Sequence, residues 1–158
     1  MKNIINEEYV PKRATKFSAG YDLYATEDIT LSPGHFKTLD TGVVFEDKDH
    51  LFGVSGLAVE QDGQSKIVAE VHQAFEYVGL VFPRSSYGFK YGLRFANSIC
   101  VIDQDYRDTI KLRVTVSKKV EIKKGDRIAQ LIFVPWLLIA DEIPPTDIRD
   151  GGIGSTGN

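Results

Sequence analysis

Residues 97–116, NSICVIDQDYRD followed by TIKLRVTV, decide how this 158-residue chain reads. In the second half Ile110, Leu112, Val114 and Val116 alternate with polar residues, which gives an extended strand one apolar face and one wet face. In the first half Asn97, Asp103 and Tyr106 crowd into a polar turn between two strand-like runs. A hairpin there is expected to bury Val101 and Ile102, put Asp103 at its tip, lay Tyr106 across the opening, and leave Asn97 as both amide donor and carbonyl acceptor. Such a set can read a flat, amide-like ring and hold a water beside a carboxylate. An aspartate in a hairpin also serves as a plain turn former, so the segment alone leaves both roles open.

Outward from this stretch the same pattern continues. Short runs rich in Val, Ile, Thr, Tyr and Phe, such as Ile128–Val134 after the turn at Lys124 and Gly125, are separated by Gly, Pro, Asp and Asn. No segment sustains a helical period. The chain therefore reads as all-β, a small distorted barrel or jelly roll in a single domain over residues 1–158, with one short helix after the PRSS segment. Between about residues 47 and 75, Leu57–Val59 and Ile67–Val71 flank Asp62 and Gly63, a dipeptide suited to the positive φ angles of a tight turn, so a β-hairpin is expected. The glycine-rich end, about residues 147–158, reads as a flexible arm.

Composition narrows the function. The one cysteine, Cys100, excludes an internal disulfide, and His35, His50 and His72 lack the spacing of a zinc site. No leader-like segment and no membrane-length apolar run is visible, which predicts a cytoplasmic protein, or a nuclear one in a eukaryotic host, with no membrane partner. The net charge of −3 speaks against direct nucleic-acid binding, while a local basic cluster can still hold a compact anion such as a nucleotide.

Five segments carry the chemistry, in order: AGYDLYA (Ala19–Ala25), PRSSYG (Pro83–Gly88), the Asp103 hairpin, GDRIAQLI (Gly125–Ile132) and GGIGSTG (Gly151–Gly157). Together they resemble the five motifs of the homotrimeric dUTP pyrophosphatases, the dUTPases, from Ala19 to the last residues. One such segment arises easily by chance; five in order are specific. The resemblance implies a dUTPase-type barrel that hydrolyses dUTP to dUMP and pyrophosphate, keeping uracil out of DNA and supplying dUMP for dTMP synthesis. It also implies one Mg²⁺ on the triphosphate and a homotrimer whose active sites are shared by three chains.

Each motif then has residues to weigh. Pro83 ends the apolar run Leu80–Phe82 and projects Arg84, Ser85 and Ser86 at a helix start, where Arg84 can grip phosphate oxygens in a fork. Ser85 and Ser86 serve either as N-caps or, by resemblance, as phosphate contacts, with Ser85 near the bridging oxygen. Ile128, Leu131 and Ile132 read as core, which makes the amide of Gln130 the exception; buried, it needs partners, and the resemblance puts it on phosphate. By resemblance Asp22 supports the hydrated Mg²⁺ through water rather than by direct ligation. Asp103 would be the general base, orienting a water for attack on the α-phosphorus. Asn97 would bond the uracil edge, Tyr106 would pack under the deoxyribose and exclude a 2′-hydroxyl, and the backbone of Val101 and Ile102 with Lys111 would complete the base pocket. In the tail, Gly154, Ser155 and Thr156 would present N–H groups to phosphate as the arm closes over a neighbouring subunit.

The chain also departs from the family pattern. Cys100 and Asp108 stand where the family usually has glycine, so the hairpin is expected to adjust. Ile153 replaces the phenylalanine that stacks on uracil, and the usual tail arginine falls on Ile148, with Arg149 one position late. The segment at 47–75 is far longer than the family's usual connection, and this hairpin is either a surface extension, a lid or a docking arm for a protein partner. Two other readings remain open: a dUTPase-like nucleotide-binding regulatory module with weak turnover, and a relative of the dCTP deaminases. The deaminases need a carboxylate on the strand after the hairpin, where Arg113 stands here, and no acid occurs from Thr109 to Lys119.

Overall fold

The computed structural model describes residues 9–44, 58–61, 64–67, 77–137, 143 and 145–146. In chain order these form β1 (Lys12–Arg13), β2 (Tyr21–Tyr24), β3 (Ile29–Leu31), β4 (Lys37–Asp40), β5 (Ala58–Gln61), β6 (Gln64–Ile67), β7 (Tyr77–Pro83), α1 (Ser85–Tyr91), β8 (Arg94–Phe95), β9 (Cys100–Ile102), β10 (Lys111–Thr115), β11 (Val120–Ile122) and β12 (Arg127–Pro135). All strand pairs are antiparallel. A five-stranded sheet runs β1-β2-β12-β7-β9, a three-stranded sheet β4-β10-β8, and β11-β3 and β5-β6 form two-stranded ribbons. The all-β expectation holds: among the described residues the arrangement is antiparallel sheets and ribbons with one short helix after PRSS.

Alternation is what buries the core. Leu112 and Val114 on β10, with Ile110 before it and Val116 after, are at most 2% exposed, whereas Lys111 and Arg113 point to the other face. Leu23, Ile122, Ile128 and Leu131 join them in the core. Each large aliphatic side chain removed from water stabilises the fold by about 1.5–3 kcal/mol relative to exposure. β12 lies between β2 and β7, with Ala129 opposite Leu23 and Pro83, and Leu131 opposite Tyr21 and Val81. Its other face carries Gln130, opposite Asp22 and Phe82, and then Ile132, opposite Leu80.

Several expectations need correction. The strands on either side of residues 103–110 do not pair with one another: β9 pairs with β7, and β10 pairs with β4 and β8. The segment is thus a corner between two sheets. Val101 is 55% exposed while Ile102 is buried, because neighbours on a strand point to opposite faces. Ile132 is only partly buried, since it shares the outer face with Gln130 rather than the inner face with Leu131. Neither Cys100 nor Asp108 has a positive φ; among the described non-glycine residues that conformation falls on Ser98, at φ 65°.

The expected hairpin is present. β5 and β6 pair with Ala58 opposite Ile67 and Gln61 opposite Gln64, a register that places the Asp62–Gly63 dipeptide at the connection. These strands start closer to the dipeptide than the apolar runs suggested. The dipeptide itself and the rest of the segment at 47–75 lie outside the described residues, as does the arm at 147–158.

Helix α1 stops at Gly92, whose left-handed φ of 64° lets its N–H donate to the Gly88 carbonyl at 2.9 Å. The Tyr87 hydroxyl donates to Asp126 Oδ2 at 2.8 Å, tying the helix to the turn that opens β12. Burial, and then the neighbouring Asp126 carboxylate, push the Tyr87 phenol well above its ordinary pKa.

Candidate active site

The site begins with a buried acid. Asp22, only 4% exposed, lies on β2 between Tyr21 and the buried Leu23 in chain order. Arg84 Nη1 donates to its Oδ1, and Arg127 Nη1 donates to its Oδ2 at 3.2 Å. A buried carboxylate without such partners carries a large desolvation cost, and two guanidinium groups remove it. Arg127 reaches this face through a β-bulge: the register shifts between Arg127 and Ala129, so that Arg127 lies opposite Tyr24 while Gln130 lies opposite Asp22. Arg127 and Gln130 are three positions apart and still share a face with Asp22.

Arg84, Ser85 and Gln130 come together in an open cleft of about 620 Å³ whose apolar walls are Phe82, Phe89 and Ile132. Arg84 occupies the N-cap position of α1 without a side-chain cap, so Ser85 and Ser86 open the helix and keep their hydroxyls exposed. The N-cap alternative for the two serines is therefore not realised. Ser86 does not line this cleft. Gly20 makes room for Gln130: a Cβ on residue 20 would meet Gln130 Oε1 at 3.0 Å and its Cβ at 3.2 Å.

A second, more enclosed cleft of about 520 Å³ gathers Asn97, Cys100, Val101, Ile102, Tyr106 and Lys111, the base-pocket residues read from the sequence together with Cys100. Thr38, Ala96 and Arg113 complete its wall. Tyr106 is buried, and its hydroxyl donates to the Thr109 carbonyl at 2.9 Å, which fixes the ring against the cleft. Burial first, and then Asp108, raise its phenol pKa. Lys111 Nζ pairs with Asp108 Oδ2 at 2.5 Å. That bond, followed by the Thr109 N–H, holds the Asp108 carboxyl below its usual value, and Asp108 raises Lys111 in return. Burial lifts the Cys100 thiol above its ordinary value. Asp103 is half-buried just after β9, and its carbonyl accepts the Tyr106 N–H at 3.0 Å.

The residues read from the sequence thus divide into two sets. Arg84, Ser85 and Gln130, with Asp22 behind Arg84, form one cleft; Asn97, Val101, Ile102, Tyr106 and Lys111 form the other, and the two clefts share no lining residue. Asp103 lines neither. Arg149, Ile153, Gly154, Ser155 and Thr156 lie outside the described residues. Sequence reading missed Thr38 and Arg113 as walls of the base-type cleft, Arg127 as a partner of Asp22 and Gly20 as a neighbour of Gln130. A strict two-residue alternation puts Arg127 on the face opposite Gln130, and nothing local connects Thr38 to a cleft built 60 residues later. Among the described residues no three His, Cys, Asp or Glu side chains gather as a metal site.

An arginine-centred cleft and a separate, base-sized cleft on one jelly-roll scaffold define a nucleotide-binding class of protein. The chain belongs to the dUTPase family, whose model, described as dUTPase, matches residues 57–157. A deoxyuridine 5'-triphosphate nucleotidohydrolase of Nautilia profundicola is 32% identical over 163 residues, covering 99% of this chain and 96% of its own. One from Desulfitobacterium hafniense is 35% identical over 156 residues, covering 94% and 87%. Among solved structures, the dUTPase of Streptococcus mutans superposes with a TM-score of 0.58 at 30% identity, covering 85% of this chain and 91% of that one. A Staphylococcus bacteriophage 80alpha dUTPase does so with 0.61 at 20% identity, covering 99% and 96%, a likeness of fold.

Proposed function

We propose that this protein hydrolyses dUTP to dUMP and pyrophosphate. A water oxygen bonds to the α-phosphorus, the bond from that phosphorus to the α,β-bridging oxygen breaks, and pyrophosphate leaves. Asp103 orients the water and takes its proton. Phosphoryl transfer of this kind rests on positioning and charge neutralisation and needs no covalent nucleophile.

The observation that carries this reading is the division of labour between the clefts. Phosphate-type groups (Arg84, Ser85, Gln130) and base-type groups (Asn97, Tyr106, Lys111) each assemble coherently, in places that share no wall. This fits a homotrimer in which neighbouring chains complete one site, Ser86 adding a backbone contact to phosphate. In that assembly the tail, through Arg149, Ile153, Gly154, Ser155 and Thr156, closes over the triphosphate. Tyr106 sits under the deoxyribose and excludes a 2′-hydroxyl. Among the described residues no carboxylate lines the base-type cleft, which weighs against deamination of a cytosine ring there.

Mg²⁺ fits as a passenger of the triphosphate. Both Asp22 oxygens already accept from arginines, so direct ligation is disfavoured, yet each oxygen keeps a second lone pair for a metal-bound water. When bound, the ion neutralises phosphate charge; Asp22 keeps Arg84 aimed and supports the ion's water shell. Among the described residues the β5–β6 ribbon pairs with neither of the larger sheets, which supports a surface extension outside the chemistry, with a lid or a docking arm as the alternatives.

Pyrophosphate release from dUTP with Mg²⁺, run beside dCTP, dTTP and UTP, tests the reading. Turnover confined to dUTP supports it; nucleotide binding without turnover would favour a regulatory module.

A further inference from the structure

We propose that Arg113 is a specificity-determining residue that reads the group at C4 of the pyrimidine, accepting a carbonyl and rejecting an amino group. This rests on the base-type cleft holding the nucleobase, as proposed above. Arg113 stands on β10 at the wall of that cleft, and its carbonyl accepts the Ala96 N–H at 2.8 Å, which sets it beside Asn97. Its guanidinium lies over the Phe36 ring, Cζ 5.5 Å from the centroid, and Nη1 donates to Thr38 Oγ1 at 3.5 Å. The cation–π contact places the guanidinium near Phe36 and leaves most of its five N–H donors for a ligand.

The other polar side chains of the cleft discriminate poorly. Asn97 carries both a donor and an acceptor and can turn its amide over, and the Thr38 hydroxyl rotates to suit its partner. Lys111 is already engaged by Asp108 at 2.5 Å. Arg113 alone among them combines a donor-only character with partners that are not anions: among the described residues these are a hydroxyl and an aromatic face. Uracil presents a carbonyl oxygen at C4 and satisfies such a group. Cytosine presents an amino group there, so donor faces donor and the hydrogen bond that uracil accepts is lost, although the exposed guanidinium keeps its water.

Arg113→Met keeps an unbranched apolar stem while removing the guanidinium, its donors and its contact with Phe36; Arg113→Lys keeps the charge. For the parent and both variants, kcat and KM are measured with dUTP and dCTP, and thermal melting checks the fold. The expected result is a loss in kcat/KM for dUTP on the order of ten- to a hundredfold in Arg113→Met, carried by KM, with no comparable loss for dCTP, so that the dUTP preference narrows. Arg113→Lys recovers part of the preference. An unchanged dUTP to dCTP ratio in a folded Arg113→Met protein overturns the inference. Should the parent not turn over dUTP, the hydrolase reading fails separately, and calorimetric binding of dUMP against dCMP to parent and Arg113→Met then decides the role of Arg113. Equal discrimination in the two proteins, or no binding to the parent, overturns it.

Discussion

Asp22 and Gln130 face each other directly across the β2–β12 pair, and the same Asp22 carboxylate holds Arg84 on one oxygen and Arg127 on the other. One buried acid thereby sets the position of the residue that opens the helix and of the strand that carries the amide. Replacing it with Asn leaves two guanidinium groups without their anion. Asp22→Asn is expected to lower stability by about 1–3 kcal/mol, moderated because both arginines are partly exposed to water. It also raises KM for dUTP more than it lowers kcat. Denaturant unfolding and steady-state kinetics check both; unchanged KM would remove Asp22 from the phosphate cleft.

The contact between Gly20 and Gln130 predicts a second effect. Adding a methyl group at residue 20 puts a carbon 3.0 Å from Gln130 Oε1 and 3.2 Å from its Cβ, tighter than ordinary packing, so the Gln130 side chain must shift from its place. Gly20→Ala is expected to reproduce the kinetic defect of Gln130→Ala without adding to it in the double variant, since both act on the same side chain. Additive losses would show that Gly20 matters for some other reason.

The Asp108–Lys111 pair makes a pH prediction. Asp108 is held below its ordinary value of 3.8, so its contribution to stability is complete above that value and is lost as the pH falls through the lowered one. Lys111 is raised above 10.5, so its contribution is complete below that value and is lost only as the pH rises through the raised one. The melting-temperature gap between the parent and Asp108→Asn is therefore expected to stay constant from about pH 5 to pH 9 and to close only in stronger acid or in strong alkali. A gap that closes near neutrality would contradict the pairing.

The proposed sharing of sites between neighbouring chains predicts complementation. Asp103→Asn and Gln130→Ala are each expected to be nearly inactive. Unfolded together in equal amounts and refolded, they form mixed trimers, each with one site that draws an intact Asp103 from one chain and an intact Gln130 from another. Random mixing recovers about a quarter of parental activity in a cyclic trimer with sites between neighbours. No recovery, with mixed trimers shown to form, would mean that each site is built within one chain.

Much of this was visible before any coordinates. The alternation of Ile110, Leu112, Val114 and Val116, the proline that ends an apolar strand ahead of a short helix, and the Asp62–Gly63 hairpin signal all depend on near neighbours, and local patterns carry such information well. What stayed hidden depends on register and on distant strands. The bulge that turns Arg127 toward Asp22 breaks the two-residue period from which its face would be read. Residues 97–116 look like one hairpin locally, yet β9 and β10 take different partners, a choice made by β7 and β4 elsewhere in the chain. Thr38 meets Arg113 across 75 positions, and no local spacing announces it.

The central claim is that a water oriented by Asp103 attacks the α-phosphorus of dUTP. The direct measurement is single-turnover hydrolysis in ¹⁸O-labelled water, with mass analysis of both products for the parent and Asp103→Asn. The account predicts one labelled oxygen in dUMP, none in pyrophosphate, and loss of the labelled product in the variant. Label in pyrophosphate, or undiminished turnover by Asp103→Asn, would contradict it.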